Sequence, residues 1–141
     1  MAIRKVVIHS DGASRNNPGP AAIGATVKDE QGRLLATISR SIGRATNNQA
    51  EYRAVIAALE QAIKLGARQV ELNLDSELVV KQMRGEYQVK NRELRGLLQR
   101  ALELSRRFPN FEIQHIPRDL NREADRLANR AIDEFEGDEE P

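Results

Sequence analysis

Four acidic side chains occupy positions from which they could act together. Asp11 and Asp75 each follow an apolar, β-branched run that is typical of a strand, IRKVVIHS and QVELNL respectively. Glu51 and Asp125 each lie in about the first turn of a predicted helix. Because functional groups gather at the carboxyl ends of the strands in α/β sheets, we expect the four carboxylates to converge at one edge of the sheet.

Such a group of carboxylates has a defined chemistry. Four carboxylates around one point form a hard, all-oxygen site that needs no His or Cys ligand, and this donor set selects Mg²⁺ or Mn²⁺ over zinc. Two such ions about 3.5–4 Å apart are a recurrent device for in-line displacement at phosphorus. One ion activates water and the other stabilises the leaving oxygen. The four acids therefore indicate phosphoryl-transfer or nuclease chemistry.

Each acid also has a structural explanation. Asp11 in S-D-G could make an Asx-type turn, and Asp75 in D-S-E could cap the following helix. Glu51 follows Asn48 at the spacing of a capping box, and Asp125 could pair with a neighbouring arginine on its helix. Taken singly, the structural roles are favoured. Only the joint placement of the four acids favours a metal site.

The elements that must position these acids follow from the hydrophobic patterns. Strands are predicted at 3–10, 21–28, 34–42, 69–74 and 111–116, and helices at 48–65, 76–85, 91–108 and 121–135. The connection DEQGR, with Gly32, is typical of a hairpin between the second and third strands. Strand–helix–strand crossovers imply parallel pairing, and the opening hairpins add antiparallel pairs. The predicted fold class is α/β, a mixed five-stranded sheet with helices on both faces in the order βββ-α-β-α-α-β-α.

Length and composition narrow the possible classes of protein. The chain has 141 residues, of which 40% are hydrophobic and 30% charged, and this is typical of one soluble globular domain. The lack of cysteine excludes a disulfide scaffold, a Cys-type zinc site, an iron–sulfur cluster and a thiol nucleophile. The sequence has no apolar run of about 18 residues, and its start, MAIRKVVIHSDG, lacks a signal-peptide pattern. We therefore expect a cytoplasmic protein with no membrane partner.

Charge is distributed unevenly along the chain. The formal net charge is +1, but the segment DEFEGDEEP at 133–141 carries six acids and no base, which leaves +7 on the rest. A short acidic terminal run is usually a solvated, frayed tail. The chain is therefore predicted to divide into a catalytic domain at 1–132 and an acidic C-terminal tail at 133–141. The basic body indicates a polyanionic partner.

Four sequence blocks resemble the signature blocks of the type 1 ribonuclease H family. The blocks are DGASRNNPG, TNNQAEYRA, DSELVVKQM and N-READ-RLA, in the order of the family and with compatible spacing. The resemblance extends from about Ile3 to Ala131. It implies a ribonuclease H-like fold and a metal-dependent endonuclease that hydrolyses the RNA strand of RNA–DNA hybrids, leaving 5′-phosphate and 3′-hydroxyl ends.

The resemblance also implies roles for individual residues. The metal-binding carboxylates would be Asp11, Glu51, Asp75 and Asp125, with Asp11 in the central bridging position. They would hold Mg²⁺, as two ions, with Mn²⁺ as a substitute. Contacts to the nucleic acid would come from Gly12, Asn17, Thr46, Asn47 and Asn48. Amides and main-chain N–H groups can bond the 2′-OH that distinguishes RNA from DNA, although turn and capping duty is an alternative for the asparagines.

The closing loop departs from the family pattern. Many members have a histidine in a flexible, glycine-containing loop ten residues before the last acid, thought to assist product release or proton transfer. His115 has that offset, but its loop lacks glycine and is stiffened by Pro117. His115 could act there or pack beside Phe111 and Ile113. Arg118 is the second candidate, holding a phosphate or the leaving group by its charge.

A second departure concerns substrate affinity. Some members insert a basic helix with tryptophans and others carry an N-terminal hybrid-binding domain, and the sequence has neither. The candidates for phosphate contacts are then five basic residues of the body, Lys81, Arg84, Lys90, Arg92 and Arg95. For any one of them taken singly, a solvated helix face is the favoured alternative. A hybrid-binding module without turnover, or a nuclease domain cut from a polymerase or transposon protein, are the alternatives. We expect a free-standing, monomeric enzyme with no obligate protein partner.

Overall fold

The computed structural model describes residues 4–139, in which strands and helices alternate in the predicted order. The elements are β1 (Lys5–Ser14), β2 (Gly19–Lys28), β3 (Leu34–Ala45), α1 (Asn47–Lys64), β4 (Gln69–Leu74), α2 (Glu77–Met83), α3 (Arg92–Ser105), β5 (Asn110–His115) and α4 (Arg122–Glu139), with a 3-10 turn at Arg118–Leu120. Within these residues, no helix is both long and apolar enough to cross a membrane. The predicted element order is confirmed. Ile3, predicted to begin the first strand, lies outside the described residues.

The strands form one mixed sheet in the order β3-β2-β1-β4-β5. β1 pairs antiparallel with β2 and parallel with β4, while β3 and β5 form the two edges. Pairing of β1 with β4 ends at His9 and Asn73, whereas pairing of β1 with β2 continues to Ser14 and Ala21. β1 and β4 therefore part at their carboxyl ends, and this parting creates an opening in the sheet.

One face of the sheet is covered by α1, which packs on α3 and on the central strands. The predicted apolar face of α1 includes Val55, Leu59 and Ala62, which are fully buried. They belong to the same cluster as Ile8 of β1 and Leu72 of β4. Residues that recur at the helical period of 3.6 in α1 therefore pack against residues that recur at a period of two in the strands, and together they form the main core.

The other face is covered by α4 over β1, β2 and β3. Its predicted core residues Ala124, Ala128, Ala131 and Ile132 are buried. Small residues allow this helix to lie close to the sheet, because a Cβ on Gly24 of β2 would lie 2.2 Å from the carbonyl oxygen of Ala124. The prediction of helices on both faces is confirmed.

The predicted end of the first strand was wrong. DGASRNNPGP has the composition of a turn, but β1 continues to Ser14 because its last residues pair with β2. Gly12 is required inside this strand by a close approach of α1. A Cβ on Gly12 would lie 2.1 Å from the carbonyl carbon of Ala50 and 2.3 Å from the nitrogen of Glu51. The glycine thus marks packing of α1 on β1 rather than a turn.

We expect Gly12→Ala to lower the free energy of unfolding by about 3 kcal/mol, because two backbone segments would have to separate. Gly96→Ala is the matched control. Gly96 lies in α3 with nothing within 4 Å of a Cβ, so alanine should stabilise the helix by up to about 1 kcal/mol. Urea unfolding of both variants measures the difference. Equal stabilities would contradict the close approach.

The last helix is longer than predicted. α4 continues past Phe135 to Glu139, across the predicted boundary at 132/133. Arg15 contacts this extension, with Nη2 2.7 Å from Asp133 Oδ1 and Nη1 2.9 Å from Glu136 Oε1. These two acids therefore lie in a helix that ion pairs tie to the body. The division into a domain and a tail stays a prediction, and Glu140 and Pro141 lie outside the described residues.

Candidate active site

The opening between β1 and β4 brings acidic side chains from three elements together. Asp11 lies in β1, Asp75 directly follows β4, and Glu51 comes from the second turn of α1. Carboxylate oxygens of these three residues all lie within 4.8 Å of one another. Asp125, in the first turn of α4, lines the same open cavity of about 430 Å³. The carboxyl ends of two parallel strands and two helix starts thus meet at one point.

Other residues perform the capping roles considered for two of these acids. Thr46 caps α1, since its hydroxyl accepts from Gln49 N at 3.2 Å and the Gln49 side chain accepts from Thr46 N at 2.8 Å. The proposed capping box of Asn48 and Glu51 is therefore wrong. Ser76 caps α2 by accepting a backbone hydrogen bond at 3.3 Å, so the acid before it is not the cap.

The turn and ion-pair roles considered for the other two acids are also wrong. Asp11 lies inside a paired strand opposite Gly24, so it makes no turn. Asp125 accepts a hydrogen bond from Asn129 Nδ2 at 3.1 Å. Among the described residues, no ion pair joins Asp125 to Arg122 or Arg126. Among the described residues, none of the four acids thus has the structural role considered for it.

Burial and crowding disfavour the ionised forms of Asp11 and Glu51. Asp11 is 5% exposed, and burial together with the neighbouring Glu51 raises the pKa of Asp11 to about 10. Burial, followed by the charges of Asp75 and Asp125, raises the pKa of Glu51 to about 7. Glu51 Oε2 is buried and has no hydrogen-bond partner among the described residues. A buried, unpartnered carboxylate oxygen beside other acids fits a hard divalent cation, which would favour the ionised form of the carboxylate.

The two residues predicted from the closing loop lie in different surroundings. Arg118 lines the cavity, and its Nε lies 3.8 Å from Asp75 Oδ2 although the side chain is 90% exposed. His115 ends β5 and is exposed, so the packing alternative for it is wrong. Lys81 and, secondarily, His115 lower the pKa of Glu77, which places His115 near the start of α2. His115 is not one of the described residues that line the cavity.

The predicted substrate-binding asparagines also hold the backbone around the site. Asn17 Oδ1 accepts from Asn47 N at 2.8 Å, and Asn47 Oδ1 accepts from Ser14 N at 2.9 Å. Asn17 and Asn47 therefore do have the structural role that was considered as an alternative to substrate binding. With both amide oxygens occupied, the remaining hydrogen-bonding capacity of these exposed side chains is mainly their NH₂ donors. Asn48 and the Gly12 backbone line the cavity itself.

The five basic residues predicted to contact phosphates differ in their contacts. Lys81 Nζ lies 2.9 Å from Glu77 Oε1 and also over the ring of Tyr87. Arg84 donates to the carbonyl oxygen of Ile113 at 2.7 Å. The remaining three are exposed, namely Lys90, Arg92 and Arg95. These three have the more accessible charges.

Two asparagines of the site, Asn121 and Asn129, had no role predicted from the sequence. Asn121 donates to Asp75 Oδ1 at 3.3 Å and to the carbonyl oxygen of Ser10 at 2.9 Å. Asn129 donates to the side chain and backbone of Asp125. The available signals were that Asn121 opens the block N-READ and that Asn129 follows Asp125 at one helical turn.

Known proteins are similar to this chain in sequence and in fold. The family model described as "Reverse transcriptase-like" matches residues 9–131. Ribonuclease HI of Halobacterium salinarum is 48% identical over 130 residues, which are 92% of this chain and 65% of that protein. The crystal structure of RNase H1 from that archaeon matches with a TM-score of 0.90 over 92% of this chain and 98% of that chain. The chain belongs to the ribonuclease H family.

Two further proteins are similar to this chain over most of its length. The bifunctional protein Rv2228c of Mycobacterium tuberculosis is 48% identical over 130 residues, which are 92% of this chain and 36% of that protein. LC11-RNase H1, solved in complex with an RNA/DNA hybrid, is 42% identical with a TM-score of 0.87, over 92% of this chain and 98% of that chain. The chain thus spans about a third of the mycobacterial protein. The resemblance seen in the four sequence blocks, and the ribonuclease H-like fold that it implied, are confirmed.

Proposed function

We propose that this protein is a ribonuclease H that hydrolyses the RNA strand of RNA–DNA hybrids and leaves 5′-phosphate and 3′-hydroxyl ends. The observation that carries the proposal is the cluster of Asp11, Glu51 and Asp75, whose oxygens lie within 4.8 Å of one another. A family member of the same fold that was solved with an RNA/DNA hybrid supports the choice of substrate. Action as a monomer in the cytoplasm stays a prediction from the sequence.

The carboxylates would hold divalent metal, and we propose Mg²⁺ as two ions with Mn²⁺ as a substitute. Asp11 would take the central position, since Glu51, Asp75 and Asp125 all influence its carboxyl group. Bound ions would supply an activated water and a counter-charge for the leaving oxygen. Arg118 would add positive charge at the rim of the cavity, where it could hold a phosphate or the leaving group. His115 remains a candidate for product release at a greater distance.

The same opening would select RNA through hydrogen-bond donors. The NH₂ groups of Asn17 and Asn47 could donate to 2′-OH oxygens, because their own oxygens accept from backbone N–H groups. The Thr46 hydroxyl, which accepts at the helix cap, still has its hydrogen to donate to a phosphate of the DNA strand. Gly12 and Asn48, which line the cavity, would contact the strand being cut.

Replacing Asn47 with aspartate separates its structural duty from binding. Aspartate keeps the oxygen that accepts from Ser14 N, but it removes the donors and adds a negative charge toward a polyanion. We expect the KM for hybrid to rise about tenfold, since the lost hydrogen bond is worth roughly 1–1.5 kcal/mol. The melting temperature should stay close to that of the wild type. Steady-state kinetics and thermal unfolding measure both.

Asn110→Asp is the matched control for that variant. Asn110 is exposed at the amino end of β5, at the opposite edge from the cavity, so its KM should match the wild type within about twofold. An equal rise of KM in both variants would indicate a general charge effect. An Asn47→Asp variant with wild-type KM would remove Asn47 from the binding surface.

A cleavage assay tests the proposed function directly. The RNA strand of an RNA–DNA hybrid is labelled at its 5′ end and incubated with protein and Mg²⁺, Mn²⁺ or chelator. Single-stranded RNA and duplex DNA of the same sequence are the controls. We expect metal-dependent cuts in the hybrid alone, with 3′-hydroxyl ends that a polymerase can extend. Equal cutting of the controls would contradict the proposal, and binding without cleavage would indicate a binding module.

A further inference from the structure

A buried asparagine joins three elements of the site. Asn121 is 1% exposed, and its Nδ2 lies 2.9 Å from the carbonyl oxygen of Ser10 and 3.3 Å from Asp75 Oδ1. Its backbone carbonyl accepts from Asp125 N at 3.1 Å, in the first turn of α4. One residue thus contacts β1 beside Asp11, the carboxylate after β4, and the helix that carries the fourth acid.

The partners of Asn121 fix the orientation of its amide. A carbonyl and a carboxylate are both acceptors, so only the NH₂ group can face them. The amide oxygen is therefore placed on the other side, where it is buried and has no hydrogen-bond partner in the part of the chain that the structure describes. Leaving a buried oxygen unpaired costs free energy. The two bonds of the NH₂ group must offset this cost, and they contact β1 and the Asp75 carboxylate of the site.

Asn121 occupies the point where the sheet opens. Pairing of β1 with β4 ends at His9, so β4 does not reach the Ser10 carbonyl, and the amide of Asn121 binds that carbonyl instead. Asp75 is 11% exposed, and its other oxygen faces the exposed guanidinium of Arg118 at 3.8 Å. Asn121 is thus the buried donor that holds Asp75 beside Asp11.

We propose that Asn121 is a positioning residue of the metal site, fixing the Asp75 carboxylate close to Asp11 and Glu51 so that a divalent cation can bind all three. The inference rests on the proposed function, since it assigns metal binding to the same carboxylates. Without the amide, repulsion would turn Asp75 away from the other two acids, and metal binding would have to reverse that movement. Loss of such an outer partner typically weakens metal affinity 10- to 100-fold.

The chain contains a matched control for Asn121. Asn73 is 4% exposed and its Nδ2 donates to the carbonyl oxygen of Ile8 and to Glu71 Oε2, both at 3.1 Å. It therefore makes the same two kinds of bond, to β1 and to a carboxylate, two residues farther from the opening. Glu71 lies outside the acidic cluster and pairs with Lys5. Alanine at either position removes equivalent hydrogen bonds.

Calorimetric titration of the metal-free protein with Mn²⁺, in the absence of nucleic acid, tests the proposal. We expect Asn121→Ala to raise the Kd for Mn²⁺ about tenfold or more. Asn73→Ala should bind Mn²⁺ as the wild type does, although urea unfolding should show similar destabilisation of both variants. At saturating metal, Asn121→Ala should keep the wild-type KM for hybrid. Wild-type Mn²⁺ affinity in Asn121→Ala, or equal weakening in both variants, would overturn the proposal.

Asn121→Ser keeps the test decisive if the alanine variant does not fold. Serine is favoured at a helix start, but its shorter side chain cannot reach both partners. A folded serine variant with wild-type Mn²⁺ affinity would also overturn the proposal. The function is judged separately by the wild type. If the wild type binds Mn²⁺ without cutting hybrid, the proposed function fails, while the variants still decide the role of Asn121.

Discussion

The Asp11→Asn variant should lose cleavage of RNA–DNA hybrids while its metal-free form becomes more stable than the wild type. Asp11 has a carboxylate oxygen within 4.8 Å of those of Glu51 and Asp75 and is almost fully buried. Loss of a metal ligand removes several kcal/mol of transition-state stabilisation, and about 4 kcal/mol corresponds to roughly a thousandfold in rate. The neutral amide also removes one of the crowded acids, so the apo fold should gain stability.

Single-turnover cleavage at saturating Mg²⁺ and Mn²⁺, and urea unfolding in chelator, measure the two effects. Asp119→Asn is the control, because Asp119 is an exposed acid of the 3-10 turn outside the cluster. Its rate should match the wild type within about twofold. An Asp11→Asn variant that cuts hybrid at more than about a hundredth of the wild-type rate would contradict the assigned role. So would a loss of stability in its metal-free form.

The metal-free protein should lose stability as the pH rises from about 4.5 to 7. The pKa of Glu51 is raised from its ordinary value of 4.5 to about 7 in the folded protein. Below pH 4.5 both states hold the proton, so the contribution of Glu51 is fully present. Between these values the unfolded chain ionises while the folded one does not, and the contribution is lost. At 1.36 kcal/mol per unit, the loss is about 3 kcal/mol.

Two other groups contribute to the pH dependence of the free energy of unfolding. Asp11, whose pKa is raised to about 10, acts in the same direction as Glu51 and extends the loss to higher pH. His9 acts in the opposite direction near its ordinary pKa, because burial and the charge of Lys28 lower the pKa of His9 in the folded state. Comparison of the wild type with Asp11→Asn therefore isolates the carboxylates from the histidine.

Urea unfolding between pH 4 and 8, in chelator and in Mg²⁺, tests this dependence. In chelator the free energy of unfolding should fall with pH, and the fall should be smaller in Asp11→Asn. In Mg²⁺ the curve should flatten, because the cation replaces the protons that the carboxylates otherwise keep. Stability of the metal-free wild type that rises from pH 5 to 7 would contradict the raised pKa of Glu51.

Most of the fold could be predicted because each element carries its own period. Val55 and Leu59 recur at helical spacing, and QVELNL alternates as a strand does. The end of β1 could not be predicted, because the pairing of β1 with β2 and the close approach of α1 to Gly12 are tertiary contacts. The extent of α4 was missed for a similar reason. Its acids look solvated in the sequence, but Arg15 binds two of them.

The convergence of the acids could be predicted from the sequence, whereas the hydrogen bonds that hold them in place could not. Asp11 lies just beyond the part of β1 that pairs with β4, Asp75 directly follows β4, and general topology places the carboxyl ends of parallel strands together. The contacts of Asn121 depend on where β1 and β4 part, and no local pattern reports that point. His115 has the spacing expected for a catalytic loop, but spacing alone could not show that it lies outside the cavity while Arg118 lines it.

The position of α4 in the chain has a consequence for the timing of synthesis. The elements that carry Asp11, Glu51 and Asp75 all precede α4 and leave the ribosome before it, whereas Asn121 and Asp125 emerge with the last helix described. Until α4 docks, one face of β1, β2 and β3 is uncovered and the group of acids is incomplete. The proposed metal site would therefore stay incomplete until residues 121–125 have left the ribosome and α4 has docked on the sheet.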